Sequence, residues 1–280
     1  MTRKELYILP FDHRGSFLSW FGFSRENLTP EAVLKLSDYK HLVFEGFLKA
    51  LAQGVEKEHA AILVDEEFGA KIHEEARARG ITRILTTEKS GQDEFDFEYG
   101  NAFGEHIEKF KPDYVKVLVR YNPRGDGALN ARQCARLKTL NDFCAARGYR
   151  FLFELLAVAT SEELAQCGGK EAYDKTLRAT VMAESIAELK RHGISPDIWK
   201  IEGLDDAEQM RRVVEETQRD IAKPVGAIIL GRDESEEHVR RWLTVAASIP
   251  HVVGFAVGRT VFETALIAYH RGEKTREEAA

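Results

Sequence analysis

An α/β fold of the (β/α)8, or TIM-barrel, type is what this sequence predicts, on three observations. Short β-branched or aliphatic runs alternate with longer stretches of helical period, the signature of consecutive βα units and a parallel sheet. Eight such runs occur, and a helical stretch at about 263–272 follows the last, as closing a barrel requires. The chain has 280 residues, within the range of one such barrel. An open doubly wound sheet shares the alternation, but eight runs with a closing helix favour the closed form.

In order, the runs are LYILPFD (6–12), AILVDE (61–66), TRILTTE (82–88), YVKVLVRY (114–121), YRFLFELLAV (149–158), IWKIEG (198–203), GAIILGR (226–232) and VVGFAVG (252–258). Between them lie amphipathic stretches. EAVLKLSDYKHLVFEGFLKALAQG ends on Gly54, and LNARQCARLKTLNDFCAARG ends on Gly148, where a helix C-cap glycine belongs. Pro112 and Asp113 lead into the fourth strand, and Gly193 to Asp197 into the sixth. No Pro/Gly/Ser-rich linker divides the sequence, so one domain over 1–280 is expected, with only 1–5 and the tail REEAA frayed. GSFLSWFGF (15–23) places large apolar residues directly after the first strand. It could cap a site, contact another subunit of a homo-oligomer, or pack against the final helix.

Hydrophobic residues make up 44% and charged residues 31%, the balance of a globular chain that can bury a sizeable core. The net charge of −6 gives no basic field to attract nucleic acid or an anionic membrane. Arg14, Lys116, Arg120, Arg124, Arg232 and Arg259 nevertheless gather near predicted strand ends, where they suit a small anion, unless they are ordinary solvated charges. Cys134, Cys144 and Cys167 form no CxxC pair, and an odd count without a framework fits a reducing compartment, hence the cytoplasm. The apolar run at the N-terminus is too soon broken by Asp12 for a signal peptide, and no segment approaches the length of a membrane span.

Barrel enzymes carry their reactive groups at the C-terminal ends of the strands. Strand alternation puts Leu6, Ile8, Pro10 and Asp12 on one face, Lys116, Leu118 and Arg120 on another, and Ile198, Lys200 and Glu202 on a third. If those faces point inward, Asp12, Lys116, Glu154 and Lys200 meet at one mouth. Each alone could be a structural ion pair, yet burying several charges together is costly and favours a functional reading. A lysine amine is a nucleophile only when deprotonated, and a second ammonium nearby lowers its pKa, a role open to Lys116 beside Lys200. The iminium of a lysine Schiff base draws electrons from an adjacent carbon–carbon bond, and Glu154 or Asp12 can then move protons.

No metal or other cofactor is expected, because His41, His59, His73, His106, His192 and His238 fall in helical segments or their loops and His13 stands alone at a strand end. LGRDES (230–235) and VGRT (257–260) each run from a strand into a helix, which places Gly231, Arg232, Gly258 and Arg259 at the usual phosphate position of this fold. Arg14 and Arg120 are further candidates for binding an anionic substrate.

FDHRGSF (11–17), ILVDEEFG (62–69), VKVLVRY (115–121), FLFELL (151–156), WKIEG (199–203) and GFAVGRTVF (254–262) resemble, in order, the motifs of class I tagatose-bisphosphate aldolases. The resemblance is closer still to the barrel domain that often follows a sugar kinase in bacterial inositol catabolism and cleaves 2-deoxy-5-keto-gluconate 6-phosphate. It implies Lys200 as the Schiff-base lysine, Glu154 as the acid/base, Asp12 and Lys116 as polar partners, and Gly258 with Arg259 as phosphate ligands. It also implies dihydroxyacetone phosphate and malonate semialdehyde as products. His13 departs from the amide usual in the tagatose enzymes, and Gly203 from a proline. Asp65 and Glu66 either take part at the mouth or cap the following helix, and Trp199 should face outward into the packing. Competing readings are a non-catalytic phosphosugar-binding barrel and an isomerase or epimerase with paired carboxylates.

Overall fold

The computed structural model describes residues 5–232 and 234–280. Eight parallel strands close into a barrel in sequence order: β1 (Leu6–Pro10), β2 (Ala60–Val64), β3 (Thr82–Thr86), β4 (Tyr114–Tyr121), β5 (Arg150–Ala157), β6 (Ile198–Glu202), β7 (Gly226–Leu230) and β8 (Val252–Ala256). Around it run α1 (Gly15–Trp20), α2 (Pro30–Ala52), α3 (Glu66–Ala78), α4 (Phe103–Phe110), α5 (Gly127–Arg147), α6 (Ser161–Cys167), α7 (Lys170–Thr176), α8 (Arg178–Arg191), α9 (Ala207–Gln218), α10 (Glu236–Ala247), α11 (Arg259–His270) and α12 (Arg276–Ala279). This is a TIM barrel. Among the described residues no helix is long and apolar enough to cross a membrane.

Several strands stop about two residues short of the predicted ends, because the chain turns over the rim there. At β2 the cause is visible: Asp65 accepts the Phe68 amide at 2.8 Å and so begins α3 instead of prolonging the strand. Thr29 caps α2 in the same way, with Pro30 in its first turn, and Gly148 ends α5 in the left-handed region at φ 74°.

Alternation sorts the strand residues into two packing layers. Ile8, Leu63, Ile84, Leu152, Ile198 and Ile228 fill the barrel interior below the mouth, and burying each such side chain contributes about 1.5–3 kcal/mol. Trp199 faces out, as alternation requires, with its ring 5.0 Å from that of Phe153. The 15–23 segment packs. Phe17, Leu18 and Phe21 are buried; Phe21 lies 4.6 Å from Tyr39 of α2 and 5.0 Å from His270 of α11, and Trp20 sits 6.4 Å from Phe262.

The tail differs from expectation. The first four residues of REEAA form α12, because Thr275 and Glu278 make a reciprocal capping box and Arg276 bonds Glu45 and Asp38, each at 2.9 Å at its closest. Of the stretch 1–5 expected to fray, residues 1–4 lie outside the described residues.

His73 of α3 is buried, its ring N–H donating to the Val64 carbonyl at 3.2 Å and its face 5.1 Å from Phe110. Burial pushes its pKa down to about 4. Since the unfolded chain takes up this proton near pH 6.5 and the folded chain does not, stability present above that pH is lost as pH falls toward about 4. Urea melts of wild type should lose on the order of 2–3 kcal/mol more than His73→Phe between pH 7 and pH 4.5. Parallel losses in the two proteins would refute this.

Candidate active site

The mouth at the C-terminal ends of the strands opens into a cavity of about 570 Å3. Asp12, Lys116, Glu154 and Lys200 all line it, together with Arg14, Arg120, Gly231, Arg232, Gly258 and Arg259. The pairing explains the central contact, since Glu154 and Lys200 stand opposite one another across β5 and β6. Lys200 Nζ lies 2.6 Å from Glu154 Oε1, and Glu154 Oε2 lies 3.0 Å from Lys116 Nζ. Lys116 continues to Asp12 at 2.8 Å and to Glu88 at 2.7 Å. An unbroken chain of opposite charges thus runs from Asp12 and Glu88 through Lys116 and Glu154 to Lys200.

Burial alone would lower the pKa of Lys116, but the carboxylates of Asp12, Glu154 and Glu88 override it and hold the ammonium well above its usual value. Burial would likewise raise Asp12, yet Lys116, His13 and Lys200 hold it well below the usual carboxylate range. Glu154 is lowered too, burial being outweighed by Lys116 and Lys200. The repulsion expected from Lys116 therefore meets an opposing field. Its charge is shared among three carboxylates, one of which stands between it and Lys200.

The anion candidates divide. Gly258 precedes the first turn of α11, and a Cβ there would lie 2.0 Å from the Pro10 carbonyl oxygen, so only glycine lets this turn close on β1. Arg259 follows at the start of that helix, whose leading amides point toward the mouth side of the rim. Arg14 is buried and engaged, donating to Glu98 at 2.7 Å and to the Glu88 carbonyl at 2.6 Å. Arg232 pairs with Glu202 at 2.6 Å and Asp174 at 2.9 Å, and Arg120 donates to the Gln92 carbonyl at 2.7 Å. Arg124, also noted in the sequence, pairs with Glu184 and is not among the residues lining the cavity. Asp233 of the LGRDES motif lies outside the described residues.

Residues 1–280 match the family described as "Uncharacterized protein conserved in bacteria (DUF2090)". The chain belongs to DUF2090. No curated protein matches its sequence. Among solved structures, a fructose-bisphosphate aldolase from Slackia heliotrinireducens is similar at 14% identity and TM-score 0.59, over 98% of this chain and 84% of that one. Cgl0159 from Corynebacterium glutamicum is similar at 15% identity and TM-score 0.57, over 98% and 83%. The YdjI aldolase from Escherichia coli K12 is similar at 11% identity and TM-score 0.50, over 99% and 84%. At such identities the likeness is one of fold.

Other sequence candidates in the DUF2090 chain have structural duties. Asp65 caps α3 and forms a fully buried ion pair with Lys40, which also donates to the His13 carbonyl at 2.9 Å. Glu66 binds His106 at 2.6 Å and Lys109 at 2.9 Å. Glu202 shares a face with Lys200 but accepts the Ala157 amide at 2.9 Å and pairs with Arg232, and it does not line the cavity. Gly203 stands where it does because a Cβ would lie 2.3 Å from the Trp242 indole. Among the described residues, the group with metal-ligand spacing is Glu56, Glu58 and His59, in the loop before β2 at the barrel's other end.

The sequence reading missed Glu88, whose signal was present. Ile84 faces the barrel interior, and two steps of alternation from it give Thr86 and then Glu88, the rule that selects Asp12 from Ile8. Gln92 and Ser90 also line the cavity, from a loop that no periodicity marks.

Proposed function

We propose that this DUF2090 protein is a class I aldolase that cleaves a phosphorylated keto sugar or sugar acid through a Schiff base on Lys200. One observation carries the reading: a buried lysine 2.6 Å from a carboxylate that also touches a second buried lysine, all inside one cavity. Glu154 accepts the proton that the amine must lose, and Lys116 keeps Glu154 anionic until then.

In the proposed reaction Lys200 Nζ adds to the keto carbon and water leaves, giving an iminium. The carbon–carbon bond beside it breaks, its electron pair flows to the iminium nitrogen as an enamine forms, and Glu154 takes the proton of the departing hydroxyl. The aldehyde leaves; protonation of the enamine and addition of water then release the ketone and restore the lysine. Gly258 and Arg259, with Gly231, suit the phosphate at the β7–β8 side. The resemblance to the inositol-catabolic barrel supports 2-deoxy-5-keto-gluconate 6-phosphate as substrate, and a tagatose-bisphosphate-type sugar is the alternative.

Borohydride with dihydroxyacetone phosphate should leave one stable adduct on the peptide bearing Lys200, found by mass spectrometry. Cleavage should persist in excess chelator, since the iminium serves as electron sink. No adduct together with chelator-sensitive turnover would overturn the reading.

A further inference from the structure

Among the described residues, seven lysines and arginines line the mouth cavity against three carboxylates, although the chain as a whole carries a net charge of −6. That local excess suits a substrate with more than one negative charge. Four of the cations are already matched: Lys116 and Lys200 share Glu154, Arg14 has Glu98 at 2.7 Å, and Arg232 has Glu202 at 2.6 Å. Arg120 is different. Among the described residues it pairs with no carboxylate, and its guanidinium donates to the Gln92 carbonyl at 2.7 Å.

Arg120 faces the cavity. On β4, Val117, Val119 and Tyr121 are buried in the layer between strands and helices, whereas Leu118 and Arg120, on the alternate face, are partly exposed and line the mouth. The strand register sets its height: Leu118 stands beside Glu154 and Glu154 beside Lys200, so Arg120 is one inward position above the reacting level, with Leu156 next to it. Its backbone is held, since the Arg120 carbonyl accepts Gln133 Nε2 at 3.2 Å and the fully buried Gln133 accepts the Phe95 amide at 2.7 Å. Round the closed ring β4 lies four strands from β8 in either direction, which puts Arg120 across the mouth from Gly258.

The two sides offer different anion chemistry. At Gly258, α11 begins without a side-chain cap, as a phosphate site on helix amides requires. The helix after β4 is closed: Asp126 accepts the Ala128 and Leu129 amides at 2.8 and 3.1 Å, and its charge opposes a second phosphate there. A guanidinium without helix amides suits a carboxylate, whose two oxygens its planar fork can take together. Between Glu154 and Arg120 the wall is made by Leu118 and Leu156, which suit a methylene better than a hydroxylated carbon.

We propose that Arg120 is a specificity-determining residue that binds a carboxylate on the half of the substrate leaving as the aldehyde, one apolar carbon beyond the reacting centre. This rests on the Schiff-base reading, which seats the phosphate at the β7–β8 side and the keto carbon at Lys200. Of the two substrates weighed there, it selects the sugar acid over the bisphosphate.

The test runs the reaction in the synthetic direction, joining dihydroxyacetone phosphate to malonate semialdehyde, to propionaldehyde, which has a methyl group in place of the carboxylate, or to D-glyceraldehyde 3-phosphate. Wild type should favour malonate semialdehyde over propionaldehyde in kcat/KM by about a hundredfold or more, as a pair of charge-assisted hydrogen bonds provides. Arg120→Gln should cut that ratio by about thirtyfold or more, chiefly through the KM of the semialdehyde. Arg120→Lys, which keeps the charge without the fork, should cut it by about tenfold and serves if the glutamine variant does not fold. A wild-type preference for glyceraldehyde 3-phosphate over malonate semialdehyde, equal kcat/KM for malonate semialdehyde and propionaldehyde, or a ratio unmoved in both variants would overturn the assignment. Borohydride trapping of dihydroxyacetone phosphate on wild type separates the two failures: an adduct on Lys200 with an unmoved ratio condemns the role of Arg120 alone, and no adduct condemns the Schiff-base reading as well.

Discussion

Lys200→Met should abolish carbon–carbon cleavage, lowering kcat by more than about 10⁴-fold, beyond what loss of acid–base help alone removes. The substitution keeps most of the side-chain volume on β6, and Glu154 retains Lys116 at 3.0 Å, so no carboxylate is left without a cation. Folding should therefore survive, with a urea midpoint near that of wild type. Affinity for inorganic phosphate should fall less than turnover, because Gly231, Gly258 and Arg259 are untouched. Residual cleavage above about a hundredth of wild type, or a trapped adduct on Lys116, would exchange the roles of the two lysines.

Lys116→Met should have the opposite profile, a large loss of stability whatever it does to rate. Asp12, Glu88 and Glu154 all lie within 3.0 Å of its ammonium; Glu154 keeps Lys200 at 2.6 Å and Glu88 keeps the more distant Arg14 at 3.9 Å, while Asp12 loses its closest cation. Removing one partner of a buried ion pair costs about 3–5 kcal/mol. The sign with pH follows from the stranded carboxylate. Buried and stripped of its closest cation, Asp12 takes up a proton in the folded state at a higher pH than in the unfolded chain, so the variant regains stability as pH falls. Denaturant melts should show the deficit relative to wild type at pH 7 shrinking by pH 5. A deficit absent at pH 7, or the same at both pH values, would show that the charge chain does not hold the mouth together.

These expectations rest on positions that were largely legible in the sequence. Period-two alternation placed Asp12, Lys116 and Lys200 because each lies an even number of steps from an apolar residue that packs inside the barrel, and Trp199 an odd number from one. What the sequence withheld were the partners. Arg14 meets Glu98 and Arg232 meets Asp174 and Glu202 across distances that only closure of the ring creates, so both read as bare cations for an anion until the fold supplied their carboxylates. Asp65 was open to a mouth role or a helix cap until the fold showed it capping α3 and paired with Lys40, fully buried from α2. Gln92 carries no periodic signal, because a loop has no repeating face to reveal it.

The contact of Gly258 with Pro10 bears on how such a chain comes off the ribosome. Asp12 and Lys116 are synthesised early, yet β1 gains its second neighbour only when β8 arrives, and the last glycine of the mouth lies at 258. A nascent chain that has reached β5 already holds Asp12, Glu88, Lys116 and Glu154, but not the second ammonium of Lys200 or the seam that shuts out water. Such long-range closure is slow and leaves strand edges exposed meanwhile. Truncations before 258 should therefore yield not weakened enzymes but aggregating fragments, visible as insoluble product when translation is halted at successive lengths.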